Sequence, residues 1–297
     1  MDVDELVPDA GNLAGFIEQF PLFASAPGGL TVLRELILRL AVRGLLISCD
    51  MEAINSKPLN EDFNILKLPK GWQTKIIVEV VNKDKWSIKR GPFGSAIKKS
   101  FFVASGYKVY EQQHAIYDDF SRGDYYITEE KFDELKAFQV KPNDLIISCS
   151  GTVGKVAEAP SNMEAGIINQ ALLKISLNQK VLLNDYFKVL FQAYFMNTPE
   201  LQNLKGTAQK NMVSVKTLKS LPFPYPPLEE QKRIVAKVDE LMALCDKLEA
   251  QQQQQANNVL RANTAAINAL LNPEPQQSAK NKKTSATVSV NEPKASF

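Results

Sequence analysis

A chain of 297 residues with 44% hydrophobic content can bury one sizeable core and still carry an extended polar accessory element. Three widely spaced cysteines (Cys49, Cys149 and Cys245) and a single histidine, His114, are too few for a disulfide framework or a Cys/His zinc site. A net charge of +2 says little by itself, but an acidic start and the lack of any apolar run of about 18 residues argue against an export signal or a membrane span, so a soluble, cytoplasmic protein with reduced thiols is expected.

The N-terminal region, residues 1–67, is expected to hold a short helix near Asn12 to Gln19 and a firm one over Leu30 to Ile47. In the second, Leu33, Leu36, Ile37 and Leu40 share one face, Thr31 suits the N-cap, and Gly44 marks the end. A polar linker then leads to LPKGW (Leu68 to Trp72), whose proline and glycine punctuate the start of a new region. Through 68–227 the pattern becomes short β-prone runs, KIIVEVV, YKVYEQQ, DYYIT, DLIISCS, VGKVAEA and GIINQALLKI, with one late helix over Leu183 to Met196. LPFPYPPLEEQ (Leu221 to Gln231) closes that region with four prolines, and Glu229 and Glu230 suit the N-terminus of a long helix. There Ile234, Val238, Leu241, Cys245 and Leu248 alternate steps of four and three, and the register continues through Gln252, Gln255, Val259, Ala262 and Ala266. This predicts a coiled-coil spacer over 228–272, with a disordered tail over 273–297. The expected fold class is α/β: a mixed α/β domain joined to long coiled-coil-like helices.

Charge resolves along the chain. From Lys67 to Lys108 ten basic residues face only Glu79 and Asp84, whereas Glu111 to Lys136 carries eight acids against three bases. GPFGSAIKKS (Gly91 to Ser100) offers backbone amides, the Ser95 hydroxyl and the cations Lys89, Arg90, Lys98 and Lys99, which are the materials of phosphate contacts. YKVYEQQHAI adds Gln112, Gln113 and His114, and a glutamine amide can pair with adenine N6 and N7; plain surface beside a strand is the blander reading. SCSGTVGK (Ser148 to Lys155) resembles a phosphate-binding loop but has Cys149 and Val156 where the Walker spacing needs a glycine and a hydroxyl. A glycine turn between strands is therefore favoured over a nest for a DNA phosphate. One histidine supports no credible Ser/His/Asp system, and no G-x-G-x-x-G or Asn/Asp-Pro-Pro-aromatic segment occurs, so catalysis is not expected.

Taken in order, LPKGW, GPFGSAI, YKVYEQQHAI, DLIISCSGTVGKV, INQALLKI and AQKNMVSVKTLKSLPFPYPPLEEQKRIVAKVDEL resemble the specificity subunits of type I restriction-modification systems. The likeness covers Leu68 to Leu271, and LRELILRLAVRGLL fits the helix end that precedes a recognition domain in that family. Members usually repeat domain and helix twice, whereas LPKGW and PPLEEQ occur once here, which makes this a half-length form with one target-recognition domain.

The resemblance implies a non-catalytic subunit that reads a half-site in double-stranded DNA and docks modification (methyltransferase) subunits. S-adenosylmethionine, ATP and Mg would then belong to the modification subunits and to a motor-nuclease restriction subunit, with no cofactor or metal in this chain. Lys89, Arg90, Lys98, Lys99 and Lys108 are assigned to phosphates, with Ser95 and Lys155 beside them. Gln112, Gln113, His114, Ser150, Thr152 and the loop Gln209, Lys210 and Asn211 are assigned to base edges. The seam residues Leu33, Leu36, Ile37 and Leu40, with Ile234, Val238, Leu241, Cys245 and Leu248, are assigned to partner helices of a homodimer that would read a palindromic, interrupted site. The alternative is a non-catalytic helical scaffold or a truncated specificity-subunit remnant without DNA selectivity of its own.

Overall fold

The computed structural model describes residues 13–47, 51–53, 67–198 and 215–271. The chain divides into a larger unit ending at Glu249 and a second unit from Ala250 onward.

The larger unit opens with α1 (Leu13–Glu18), α2 (Phe20–Ser25) and α3 (Gly29–Val42), the last ending one residue before the turns around Gly44, whose φ of 74° closes the helix. Strand β1 (Met51–Ala53) pairs antiparallel with β2 (Lys67–Pro69), and β3 (Gln73–Ile76) follows directly. Then come β4 (Ile88–Arg90), β5 (Tyr107–Tyr110), α4 (Gln112–Tyr117), β6 (Tyr126–Ile127), α5 (Glu129–Glu134), β7 (Gln139–Val140), β8 (Leu145–Ser148), β9 (Val156–Glu158), β10 (Gly166–Ile168), β11 (Leu172–Ile175) and α6 (Asn184–Ala193). After the undescribed segment 199–214 the chain continues through α7 (Val215–Ser220), β12 (Pro222–Tyr225) and α8 (Leu228–Leu271).

Two four-stranded sheets carry the fold, in the orders β6-β5-β10-β7 and β4-β11-β8-β9. Strand β8, read LIIS, is buried at every position, the signature of a strand covered on both faces. Its Leu145 and Ile147 join Leu173 and Ile175 of β11 in the main core, while Ile146 and Leu172 point into a smaller core with Tyr110 and Ile168. The main core is closed by α3, α6 and the first part of α8, with Phe187, Phe191, Phe195 and Phe223 forming one aromatic block.

The segments LPKGW and PPLEEQ meet. β3 pairs with β12 over four residues, Trp72 Nε1 donates to Glu230 Oε2 at 2.6 Å, and the buried Gln231 side chain binds three backbone groups at the start of α6 and of α8. The region between these two segments thus begins and ends at one place.

Several expectations change. GIINQALLKI is two strands in different sheets rather than one, because Asn169 Oδ1 accepts from Ala171 N at 3.0 Å and turns the chain. QQHAIY is a helix, not the continuation of a strand. The seam residues Leu33, Leu36, Ile37, Leu40, Ile234, Val238, Leu241 and Cys245 are all buried in the main core of this single chain, and Leu248 packs against it. That seam is filled from within, with Arg34 bridging Asp246 and Glu249 at 2.7 and 2.6 Å, so it offers nothing to a second copy. The expected disordered tail lies outside the described residues. No helix among the described residues is long and apolar enough to cross a membrane.

Candidate nucleic-acid interface

Strands β5 and β10 run parallel with Tyr110 opposite Ile168, so the residues that follow each strand leave the sheet at the same edge. Asn169 N donates to Tyr110 O at 2.9 Å and its Nδ2 reaches Glu111 Oε1 at 3.5 Å, while Gln113 Nε2 donates to Glu111 Oε2 at 3.2 Å. Two further loops join them. Gly91 N donates to Leu172 O and Arg90 Nε to Gln170 O, which sets the GPFGSAI loop beside the β10–β11 turn. A Cβ on Gly91 would lie 1.7 Å from Asn169 O, so the closeness of the two backbones admits only glycine there. Cys149 N donates to Ala171 O, which ties the β8–β9 loop to the same turn. Segments distant in sequence, around residues 91, 112, 150 and 170, therefore form one contiguous loop cluster.

SCSGTVGK is the turn of a β8–β9 hairpin: Gly154 N donates to Ser148 O, and Lys155 N to Ser148 Oγ at 2.9 Å. Ser150 is half-buried, and Thr152 and Lys155 are exposed. Cys149 is buried, and burial pushes its thiol up to about 12, which makes it an inert core residue rather than a nucleophile.

The basic residues separate into two sets. Ser95, Lys98 and Lys99 are exposed, and no carboxylate pairs with either lysine among the described residues. Lys89 and Arg90 are half-buried, Lys89 Nζ lying 5.0 Å from the Phe138 ring centroid. Lys108 is different: it is 1% exposed and bound to Glu164 Oε1 at 2.6 Å and Ser121 O at 3.2 Å, so it cannot reach a phosphate and is removed from the contact set.

His114 is also removed. It is fully buried, Nδ1 accepts from Glu111 N at 2.8 Å, and Nε2 lies 2.7 Å from Arg122 O, a pattern that fits the neutral Nε2–H tautomer. Burial lowers its pKa, against the pull of those backbone bonds. Gln113 is taken up by Glu111, whereas Gln112 Nε2 is shielded and has no hydrogen-bond partner among the described residues. Gln112 lies beside the hairpin turn, 3.9 Å from where a Gly151 Cβ would stand. Gln209, Lys210 and Asn211 lie outside the described residues.

A cleft of about 470 Å³ lies elsewhere, lined by Asp118, Asp119, Glu158 and Glu164 among others. Its carboxylates would repel a phosphate backbone. Among the described residues no group of three or more His, Cys, Asp or Glu could hold a metal ion. Sequence reasoning passed over Glu111 and Asn169, which organise the cluster; the Asn-Gln pair interrupting an apolar run was the available signal.

Residues 69–258 match the sequence model described as "Type I restriction modification DNA specificity domain". The chain is 24% identical over 264 residues to the type I restriction enzyme EcoBI specificity subunit of Escherichia coli, covering 87% of this chain and 51% of that protein. It is 22% identical over 284 residues to the EcoAI specificity subunit of Escherichia coli, covering 83% and 45%. The chain spans about half the length of these curated relatives. A solved structure concerned with complex assembly and conformational transition of the type I R-M system aligns with a TM-score of 0.58 at 18% identity, over 92% of this chain and 60% of that one, a likeness of fold.

Proposed function

Because the chain belongs to the family of type I restriction-modification DNA specificity domains, we propose that it reads a half-site in double-stranded DNA and docks methyltransferase subunits, with no catalytic step of its own. The reading is supported most by the loop cluster, where exposed Lys155 lies on the hairpin whose turn is beside the unpaired amide of Gln112, and exposed Lys98 and Lys99 follow the GPFGSAI loop. Phosphate contacts from the lysines would position the domain, and polar side chains at Ser150 and Thr152 would meet base edges, joined by Gln112 once a shift of the hairpin turn uncovers its shielded amide. S-adenosylmethionine, ATP and Mg would act on the partner subunits, and the assembly would work in the cytoplasm where the DNA lies.

Selection of duplexes from a random pool by the purified chain tests this directly. One enriched motif is expected, and replacing Lys98 and Lys99 together by alanine should lower the slope of log K against log salt by about 1.8 without changing the motif. An unchanged affinity and slope would defeat the assignment of these lysines.

A second half-site would be read by a second copy of this chain in a homodimer. The seam expected for it is filled, but the helix from Ala250 to Leu271 leaves Val259, Leu260, Ile267, Leu270 and Leu271 each more than half exposed. We assign the partner face to these residues. Light scattering should give a twofold mass that Leu270→Lys reduces to a monomer; a monomeric parent chain would leave a single half-site reader.

A further inference from the structure

We propose that Phe93 is a wedge that enters the DNA base stack; the inference rests on the reading that this chain binds DNA. Phe93 is 88% exposed, more than any other large hydrophobic side chain among the described residues. Its exposure is not that of a slack loop. On one side Gly91 is bonded to Leu172 O, and Pro92 is buried; on the other, Ala96 N donates to Phe93 O at 2.8 Å, and Ile97 is buried in the core formed with Val109, Ile127 and Ile167. The phenyl ring therefore stands at the tip of a short turn whose two ends are fixed in the protein.

The surroundings indicate what the ring meets. No acidic residue occurs from Lys85 to Tyr110, while Lys89, Arg90, Lys98 and Lys99 flank the turn. An apolar knob inside a run of cations suits a polyanion that has flat apolar surfaces within it, which describes stacked base pairs between phosphates. A phenyl ring makes no hydrogen-bond demand, so it can slide between base steps, unstack them and bend the duplex, while neighbouring polar groups read edges. Because the turn is bonded through Gly91 to Leu172 O and through Arg90 to Gln170 O, and so to the Gln112 cluster, insertion at Phe93 would fix where those groups fall along the groove.

The test uses the full chain and the duplex it enriches from the random pool, with 2-aminopurine for adenine and pyrrolocytosine for cytosine placed in turn along both strands. The parent protein should raise fluorescence several-fold at one base step. Phe93→Ala should abolish that rise and weaken binding about tenfold or more at an unchanged salt slope, and Phe93→Trp should retain both signals.

A duplex bound equally by the parent and Phe93→Ala overturns the wedge alone, as does the absence of any fluorescent step. Unchanged DNA binding with loss of methyltransferase-subunit association would likewise overturn it, by making the ring a protein contact. If the parent enriches no duplex at all, the DNA reading itself fails and the wedge with it.

Discussion

Gln231→Leu is expected to destabilise the larger unit by about 2 kcal/mol or more, because one fully buried side chain bonds three backbone groups, two of which have no other hydrogen-bond partner among the described residues. Gln231 is fully buried: its Oε1 accepts from Leu183 N at 2.9 Å, and its Nε2 donates to Val181 O and Pro226 O, both at 3.0 Å. Leucine keeps the volume and strands Leu183 N and Pro226 O, each costing about 1–3 kcal/mol when left unpaired out of water, while Val181 O keeps its bond from the Tyr225 hydroxyl at 2.9 Å. A domain of this size holds about 5–15 kcal/mol in total, so the loss would be visible as a large drop in the midpoint of denaturant unfolding. A change below about 1 kcal/mol would mean that water replaces the amide and that the clasp is not built as described.

Phe195→Ala should cost about 3–5 kcal/mol, through a cavity rather than through stranded polar groups. The ring is fully buried, with centroids 5.5–6.1 Å from Tyr194, Phe223, Phe191 and Phe187, so removing it opens the middle of the aromatic block. At about 2–4 °C per kcal/mol for a unit of this size, the melting temperature should fall by roughly 6–20 °C. Calorimetry of the two proteins checks it, and a shift of only a degree or two would show that the block collapses to fill the space.

How much of this was readable depended on whether the signal was local. The apolar run DLIISCS gave a buried strand, and Gly44 gave the end of α3, because both rest on neighbouring residues. The heptad steps from Ile234 to Cys245 correctly marked an apolar face, yet periodicity does not say whether the partner is another chain or a helix 200 residues earlier in the same one. The same blindness misplaced Lys108: charge counting put it on the surface, while its partner Glu164 lies 56 residues away. Gln112 and Gln113 were singled out together, and only the fold separates the one held by Glu111 from the one left unpaired. The loop cluster itself was beyond sequence reasoning, since it depends on the parallel pairing of β5 and β10 across nearly sixty residues.

The packing of α3 against distant helices also has a temporal side. Arg34 and Asp246 are 212 residues apart, which at a synthesis rate of about 5–20 residues per second is roughly 10–40 s on the ribosome. Throughout that interval Leu33, Leu36, Ile37 and Leu40 lack α8, and until α6 emerges they lack that cover too. A nascent chain halted before α6 would be a chaperone client with a bare greasy helix, and this core is finished only once the first part of α8 has been translated.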